Sequence, residues 1–113
     1  MRIVTEVLKI AELKQIAAAG FGDMVKAVVD IARESIAVDA ELHADLEALL
    51  LENGSKQKDL WGINFYPDLE AKDFLEYDSM INIRPSQNNR SRGVDSAQIR
   101  EKIAGIVAKR IRA

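Results

Sequence analysis

Two short apolar runs separated by three residues place the strongest constraint on this fold. Residues 25–31 read Val-Lys-Ala-Val-Val-Asp-Ile, and residues 35–38 read Ser-Ile-Ala-Val. Residues with β-branched side chains favour strands, and a connection of three residues is long enough for a turn but too short for a helix. The pattern therefore predicts two antiparallel strands joined as a hairpin.

The other elements are predicted from apolar periodicity and from the residues that end strands and helices. Further strands are expected over 2–8, 60–66 and 74–84, the last two stopped by Pro67 and Pro85. Helices are expected over 10–19 and 40–53, and a third should follow Asp95, with Asp39 and Asp95 as N-caps. The order βαββαββα predicts an α+β fold, with helices on one face of a mainly antiparallel sheet. At this length we expect a single domain, residues 1–113.

Alternation along the strands assigns one apolar face to the core. With the helix stripes, it predicts one core containing Val25, Val29, Ile36, Leu46, Leu50, Trp61, Ile63, Ile81, Ile83, Ile99, Ile103 and Ile106. The chain has no cysteine, which excludes disulfides and thiolate metal sites, and we expect neither a cofactor nor a metal. No apolar run approaches the roughly 20 residues of a membrane span, and the first residues lack a signal-peptide pattern. We therefore expect a cytoplasmic protein with no membrane partner.

The opposite sheet face collects polar side chains. They include Lys26, Asp30, Asn64, Asp78 and Asn82, together with Glu76 and Arg84. Such a face is solvated, covered by a second subunit, or a binding surface. The apolar residues on this face, and a second apolar side of the 40–53 helix, favour a homodimer. The residues concerned are Val28, Leu60 and Met80 on the sheet, and Ala44, Ala48 and Leu51 on the helix.

The only histidine lies in the predicted helix over 40–53. Helical geometry puts His43 and Glu47 on one flank, four residues apart, and places Asp45 on the other flank. His43 is therefore a candidate general base that Glu47 would orient. The alternative is a histidine at the edge of the core with a structural hydrogen bond, and one His with one Glu is at most half a metal site.

The segment after residue 83 is the basic part of the chain. Residues 84–113 contain eight Lys and Arg against two Asp and Glu, a balance of +6. Arg84, Arg90 and Arg92 flank a polar loop that leads into the last helix, where backbone N–H groups and guanidinium groups favour an anion. The sequence thus predicts an anion-binding loop for phosphate or nucleic acid. The competing interpretation is that these arginines pair with carboxylates of the same fold.

Four spaced blocks of the sequence resemble a family of small prokaryotic proteins of unknown function. The blocks are Phe-Gly-Asp-Met-Val-Lys-Ala-Val-Val-Asp from residue 21, Glu-Leu-His-Ala-Asp from residue 41, Gly-Ser-Lys-Gln and Leu-Trp-Gly-Ile-Asn from residues 54 and 60, and Ile-Asn-Ile-Arg-Pro with Asn-Arg-Ser from residues 81 and 89. The resemblance covers nearly the whole chain and implies a free-standing domain. It transfers no catalytic residue.

Two functions are consistent with these features. The first is a binding or regulatory module that uses the polar sheet face and the arginine loop, with a phosphorylated small molecule or nucleic acid as partner. The alternative is a small enzyme that acts on a phosphorylated or nucleic-acid substrate, with His43 as general base and a loop arginine stabilising the anion.

Overall fold

The computed structural model describes residues 1–113 and contains seven strands and four helices. The strands are β1 (Arg2–Val4), β2 (Leu8–Lys9), β3 (Val25–Asp30), β4 (Ser35–Val38), β5 (Leu60–Phe65), β6 (Leu75–Glu76) and β7 (Ile111–Arg112). The helices are α1 (Ile10–Ala19), α2 (His43–Glu52), α3 (Ala71–Phe74) and α4 (Ala97–Arg110). Short 3-10 turns cover Gln57–Asp59, Met80–Asn82 and Pro85–Gln87. None of the helices combines the length and apolar character needed to cross a bilayer.

Five of the strands form one antiparallel sheet in the order β1-β4-β3-β5-β6. The predicted hairpin is its centre: Asp30 pairs with Ser35, and Val28 pairs with Ala37. The other two strands, β2 and β7, form a small parallel pair that joins the two ends of the chain. The α+β class and the mainly antiparallel sheet are therefore confirmed.

Helices cover both faces of this sheet, whereas the sequence predicted them on one face. On the first face, Ala27 and Val29 of β3 lie in the larger core cluster with residues of α1 and α4. On the second face, Val28 of β3 packs in a smaller cluster with Leu46 and Leu50 of α2. The reason is that both faces of the hairpin are apolar, so each needs a helix to remove it from water. The sequence predicted a single core, whereas the structure has two clusters of buried apolar residues, one on each face of the sheet.

The predicted long strand over 74–84 is wrong. The strand is limited to β6, and the chain then turns through Met80–Asn82 because the Ser79 hydroxyl accepts a hydrogen bond from the N–H of Ile81. Because the chain after β6 is not a strand, its side chains do not alternate between a buried and an exposed face. Ile81 is therefore only partly buried, and Ile83 is 39 % exposed. Ile99 is also partly buried, and the other nine predicted core residues are buried.

Three predicted element ends also differ. The first strand is divided into β1 and β2, with Thr5–Val7 between them outside either strand. Asp39 does not cap α2, because Asp39 has a left-handed φ of 73° and the helix begins only at His43. Ser96 caps α4 by accepting from the N–H of Ile99, while Asp95 binds the preceding loop.

Candidate functional site

A cavity of about 440 Å³ lies beside the second face of the sheet, next to the beginning of α2. That volume falls in the range of small-molecule sites, roughly 300–1,000 Å³. Six candidate residues that lie far apart in the sequence line it together: Lys26, His43, Asn64, Glu76, Asp78 and Arg92. The tertiary structure therefore joins four of the seven predicted polar-face residues, the candidate base and one loop arginine in a single site.

A row of three polar side chains crosses neighbouring strands at one wall of the cavity. Lys26 on β3 is the register partner of Asn64 on β5, and Asn64 is in turn the partner of Glu76 on β6. Paired residues project from the same face, and adjacent strands are about 4.8 Å apart, so the Cα atoms of Lys26 and Glu76 lie roughly 10 Å apart. The row presents an ammonium, an amide and a carboxylate in that order.

Asn64 is the central residue of this row and is 4 % exposed. Its Nδ2 donates to Glu76 Oε1 at 2.9 Å and to the carbonyl oxygen of Asp78 at 3.1 Å. These two acceptors fix the orientation of the amide. Oδ1 is buried and has no hydrogen-bond partner in the protein. A buried acceptor without a partner costs about 1–3 kcal/mol, so this atom stands out in the site.

The charged groups around the cavity are unequally paired. Arg92 Nε lies 2.7 Å from Asp78 Oδ1, which neutralises both charges. Glu76 Oε1 accepts from the Tyr66 hydroxyl at 3.1 Å. Burial is the main cause that raises the pKa of Tyr66, and the hydrogen bond to the Glu76 carboxylate raises it further. Lys26 has no carboxylate partner, and its Nζ lies 5.1 Å from the centre of the Phe21 ring. Lys26 is thus the cation that remains free to meet a ligand.

The first turn of α2 forms another part of the wall. Leu42, His43 and Ala44 line the cavity, and Leu42 occupies the N-cap position with no side-chain hydrogen bond to the helix. Leucine is among the poorest N-cap residues because it offers no acceptor to the free N–H groups. The positive end of the α2 dipole is therefore left uncapped beside Lys26.

His43 is buried and faces both the cavity and the sheet. Its Nε2 lies 2.9 Å from the carbonyl oxygen of Ile63, which only accepts, so Nε2 carries the proton of the neutral ring. Burial is the main cause that lowers the pKa of His43, and the charge of Lys26 lowers it further. The hydrogen bond to Ile63, hydrogen bonding of the protonated ring to the Asn64 side chain and the charge of Asp78 act in the opposite direction. The neutral imidazole keeps Nδ1 as a lone-pair acceptor.

The predicted partnership of His43 with Glu47 is absent, since His43 bonds to Ile63 instead. Glu47 interacts electrostatically with Arg84, and its Oε2 is buried without a hydrogen bond. The orienting group of His43 is therefore a backbone carbonyl of β5.

Arg84 is engaged within the fold. It donates to the carbonyl oxygen of Gln57, and to that of Leu60 at 2.8 Å. Its guanidinium carbon lies 4.2 Å from the centre of the Trp61 ring, and burial lowers its pKa. Arg84 is therefore held within the fold, but by backbone carbonyls and an aromatic ring and not by the carboxylates that the sequence suggested. Arg90, in contrast, is exposed and makes no side-chain hydrogen bond or ion pair.

The loop that carries Arg92 is held by buried asparagines. Asn89, which the sequence did not single out, donates from Nδ2 to the carbonyl oxygens of Asn82, Ser91 and Gly93. Its Oδ1 accepts from the N–H of Asp95 at 2.8 Å. Asparagines close together in a polar loop are the available sequence signal, because their side chains bond readily to nearby backbone.

Besides Arg84, two members of the predicted polar face lie outside the cavity. Asp30 is 1 % exposed and holds the hairpin turn by accepting from the N–H groups of Ala32 and Arg33 and from the Ser55 hydroxyl. Asn82 is fully buried and binds the backbone of β5. Both are structural groups.

Tyr66 and the exposed Leu42 also line the cavity but were not predicted as site residues, because a single tyrosine or leucine carries no chemical pattern in the sequence. No group of three or more His, Asp or Glu side chains is arranged to hold a metal ion.

Comparison with known proteins agrees with the resemblance seen in the four sequence blocks. Neither the curated proteins nor the solved structures contain a match to this chain. A family model covers residues 2–110, which is nearly the whole chain. The chain therefore belongs to the family described as "Protein of unknown function (DUF5674)".

Proposed function

We propose that this protein is a binding module that takes a small polar ligand into the cavity beside Asn64. The observation that carries the proposal is the buried Oδ1 of Asn64, which has no partner in the protein. A hydrogen-bond donor on a ligand would remove the cost of this unpaired acceptor. The free ammonium of Lys26 and the uncapped start of α2 provide two further polar contacts for the same ligand.

The test is a ligand titration followed by NMR on 15N-labelled protein. Free amino acids, nucleoside monophosphates and sugar phosphates are added in turn at millimolar concentration. We expect one class to shift the side-chain amide of Asn64 and the backbone amides of His43 and Ala44 in a saturable way. The exposed side-chain amide of Asn53, at the other end of α2, is the internal control. Shifts at none of the three cavity groups, or equal shifts at Asn53, would overturn the proposal.

Catalysis on the bound ligand is a second candidate function. It is favoured by the neutral His43 ring, whose Nδ1 lone pair is available as a base while Ile63 fixes the other nitrogen. In this case the ligand would be converted, and His43→Gln would abolish conversion while Glu47→Gln would not. Recovery of the unchanged ligand after long incubation would exclude catalysis and leave binding as the one proposed function.

The remaining expectations concern partners and location. Phosphate or nucleic acid at the arginine loop would depend on Arg90, which has no internal partner. A homodimer would depend on Met80 and on Ala44, Ala48 and Leu51 of α2, which are exposed, because Val28 and Leu60 are buried beneath that helix. We place the protein's action in the cytoplasm as part of this proposal, consistent with the absence of cysteine.

A further inference from the structure

The charges around the cavity decide which kind of ligand it fits. Lys26 and Arg92 are cationic, and Glu76 and Asp78 are anionic, so the formally charged lining residues cancel. With Arg92 and Asp78 paired, a doubly charged phosphate would gain one free cation, Lys26, but would meet one unpaired carboxylate, Glu76. A ligand that itself carries both signs of charge matches this wall better.

The two signs of charge are also separated in space. The positive pole consists of Lys26 and the uncapped start of α2, where backbone N–H groups favour an anion. The negative pole is Glu76, whose Oε1 is used by Asn64 and Tyr66 but whose Oε2 makes no hydrogen bond. Asn64 stands between the poles, with its unpartnered Oδ1 as a further acceptor.

We propose that the ligand is a zwitterion of the amino-acid class that lies across β3, β5 and β6. Its carboxylate binds Lys26 and the first N–H groups of α2, and its ammonium donates to Asn64 Oδ1 and Glu76 Oε2. Leu42 and Met80 line the same cavity and are 55 % and 65 % exposed, so they cover the carbon chain between the two charged groups. This inference rests on the proposed binding function and names the chemistry of its ligand.

Arg92 does not contribute to the positive pole in this arrangement. Its Nε is paired with Asp78, and Nη1 lies 3.6 Å from the sulfur of Met80. These contacts hold the loop against the cavity and leave Lys26 as the cation that selects the ligand. Lys26, and not Arg92, is therefore the cation to substitute in the test.

The experiment uses probes that differ in the number and the separation of their charges. Glycine, 4-aminobutyrate and 6-aminohexanoate carry both charges at increasing separation, while butyrate and butylamine each carry one. We expect at least one zwitterion to shift the Asn64 side-chain amide with a dissociation constant about tenfold lower than that of butyrate or butylamine. Equal affinity for butyrate would overturn the zwitterion inference while leaving a binding module in place. If no compound in this set or in the wider titration shifts that amide, both proposals fail.

Variants then assign the poles. Lys26→Gln should remove the preference of the zwitterion over butylamine, and Glu76→Gln should remove its preference over butyrate. Arg90→Gln is the matched control, because this exposed arginine lies outside the cavity, and it should leave both ratios unchanged. Glu76→Gln also alters the contacts of Asn64 and Tyr66, so retention of the wild-type amide spectrum outside the site is checked first. Unchanged ratios in a folded Lys26→Gln protein would contradict the assigned positive pole.

Discussion

Asn82 is hydrogen-bonded to the backbone of Gly62 through both ends of its side-chain amide. Its Oδ1 accepts from the Gly62 N–H at 2.8 Å, and its Nδ2 donates to the Gly62 carbonyl oxygen at 2.9 Å. A neighbouring strand would make the same pair of bonds, so a side chain replaces β6 where that strand has ended. Nδ2 also donates to the carbonyl oxygen of Arg92 at 2.9 Å, which ties the cavity loop to β5.

Asn82→Asp should destabilise the protein by more than about 2 kcal/mol. The change replaces a buried N–H₂ group by an oxygen that faces the carbonyl oxygens of Gly62 and Arg92. Urea denaturation measures the free energy of unfolding. Asn88→Asp is the matched control, because Asn88 is exposed in a left-handed turn that Asp also adopts, and it should change stability by less than about 0.5 kcal/mol. Equal effects of the two changes would contradict the role assigned to Asn82.

Two glycine substitutions should have opposite signs. A Cβ on Gly62 would lie 2.4 Å from the Cβ of Ser79, so Gly62→Ala should cost about 1–3 kcal/mol through overpacking. A Cβ on Gly105, within α4, would meet nothing within 4 Å, so Gly105→Ala should stabilise by about 0.5–1 kcal/mol. Thermal unfolding monitored by circular dichroism compares them. Adding Ser79→Gly to Gly62→Ala should recover part of the loss, and a further loss would show that the close approach is not the cause.

Arg84→Lys should destabilise the protein by about 1–3 kcal/mol. Lysine cannot reproduce the planar group that reaches two backbone carbonyls while it covers the ring of Trp61. Because Trp61 is the only tryptophan, its fluorescence reports the change directly. Arg90→Lys makes the same substitution at an exposed side chain and should leave both stability and fluorescence as they are. Unchanged stability and fluorescence in the Arg84→Lys protein would contradict this internal role and favour the anion-binding role predicted from the sequence.

The free energy of unfolding should decrease as the pH falls below 6.5, the ordinary pKa of histidine. The pKa of His43 in the folded protein is lowered from 6.5, chiefly by burial, so the unfolded chain binds this proton more readily. The stabilising effect of the neutral ring is complete above the unfolded pKa and is lost as pH falls towards and through the lowered folded pKa. Urea denaturation from about pH 7 to 5 measures the slope, which His43→Gln should flatten. NMR assigns the titration without ambiguity, since the chain has one histidine. A folded-state pKa at or above 6.5 would contradict this prediction.

The central part of the fold was predictable from sequence because its determinants are local. The β-branched runs specify β3 and β4, and the four residues between them leave an antiparallel turn as the connection. Strand alternation also identified Lys26 and Asn64 as residues of one face before their register was known. The same reasoning failed after β6, where apolar residues at 81 and 83 imitate a strand.

The sequence by itself determined the α+β class, the hairpin and the placement of Lys26 and Asn64 on one sheet face, because these follow from periodicity and turn length. Only the tertiary structure decided which polar groups are paired. Arg84 binds the carbonyl oxygens of Gln57 and of Leu60, the first residue of β5. Arg92 binds Asp78, and Asn64 Oδ1 is left unpaired. The physical reason is that hydrogen-bond partners far apart in sequence are set by packing of α2 and the 79–95 loop against the sheet, and local periodicity carries no information about those distances.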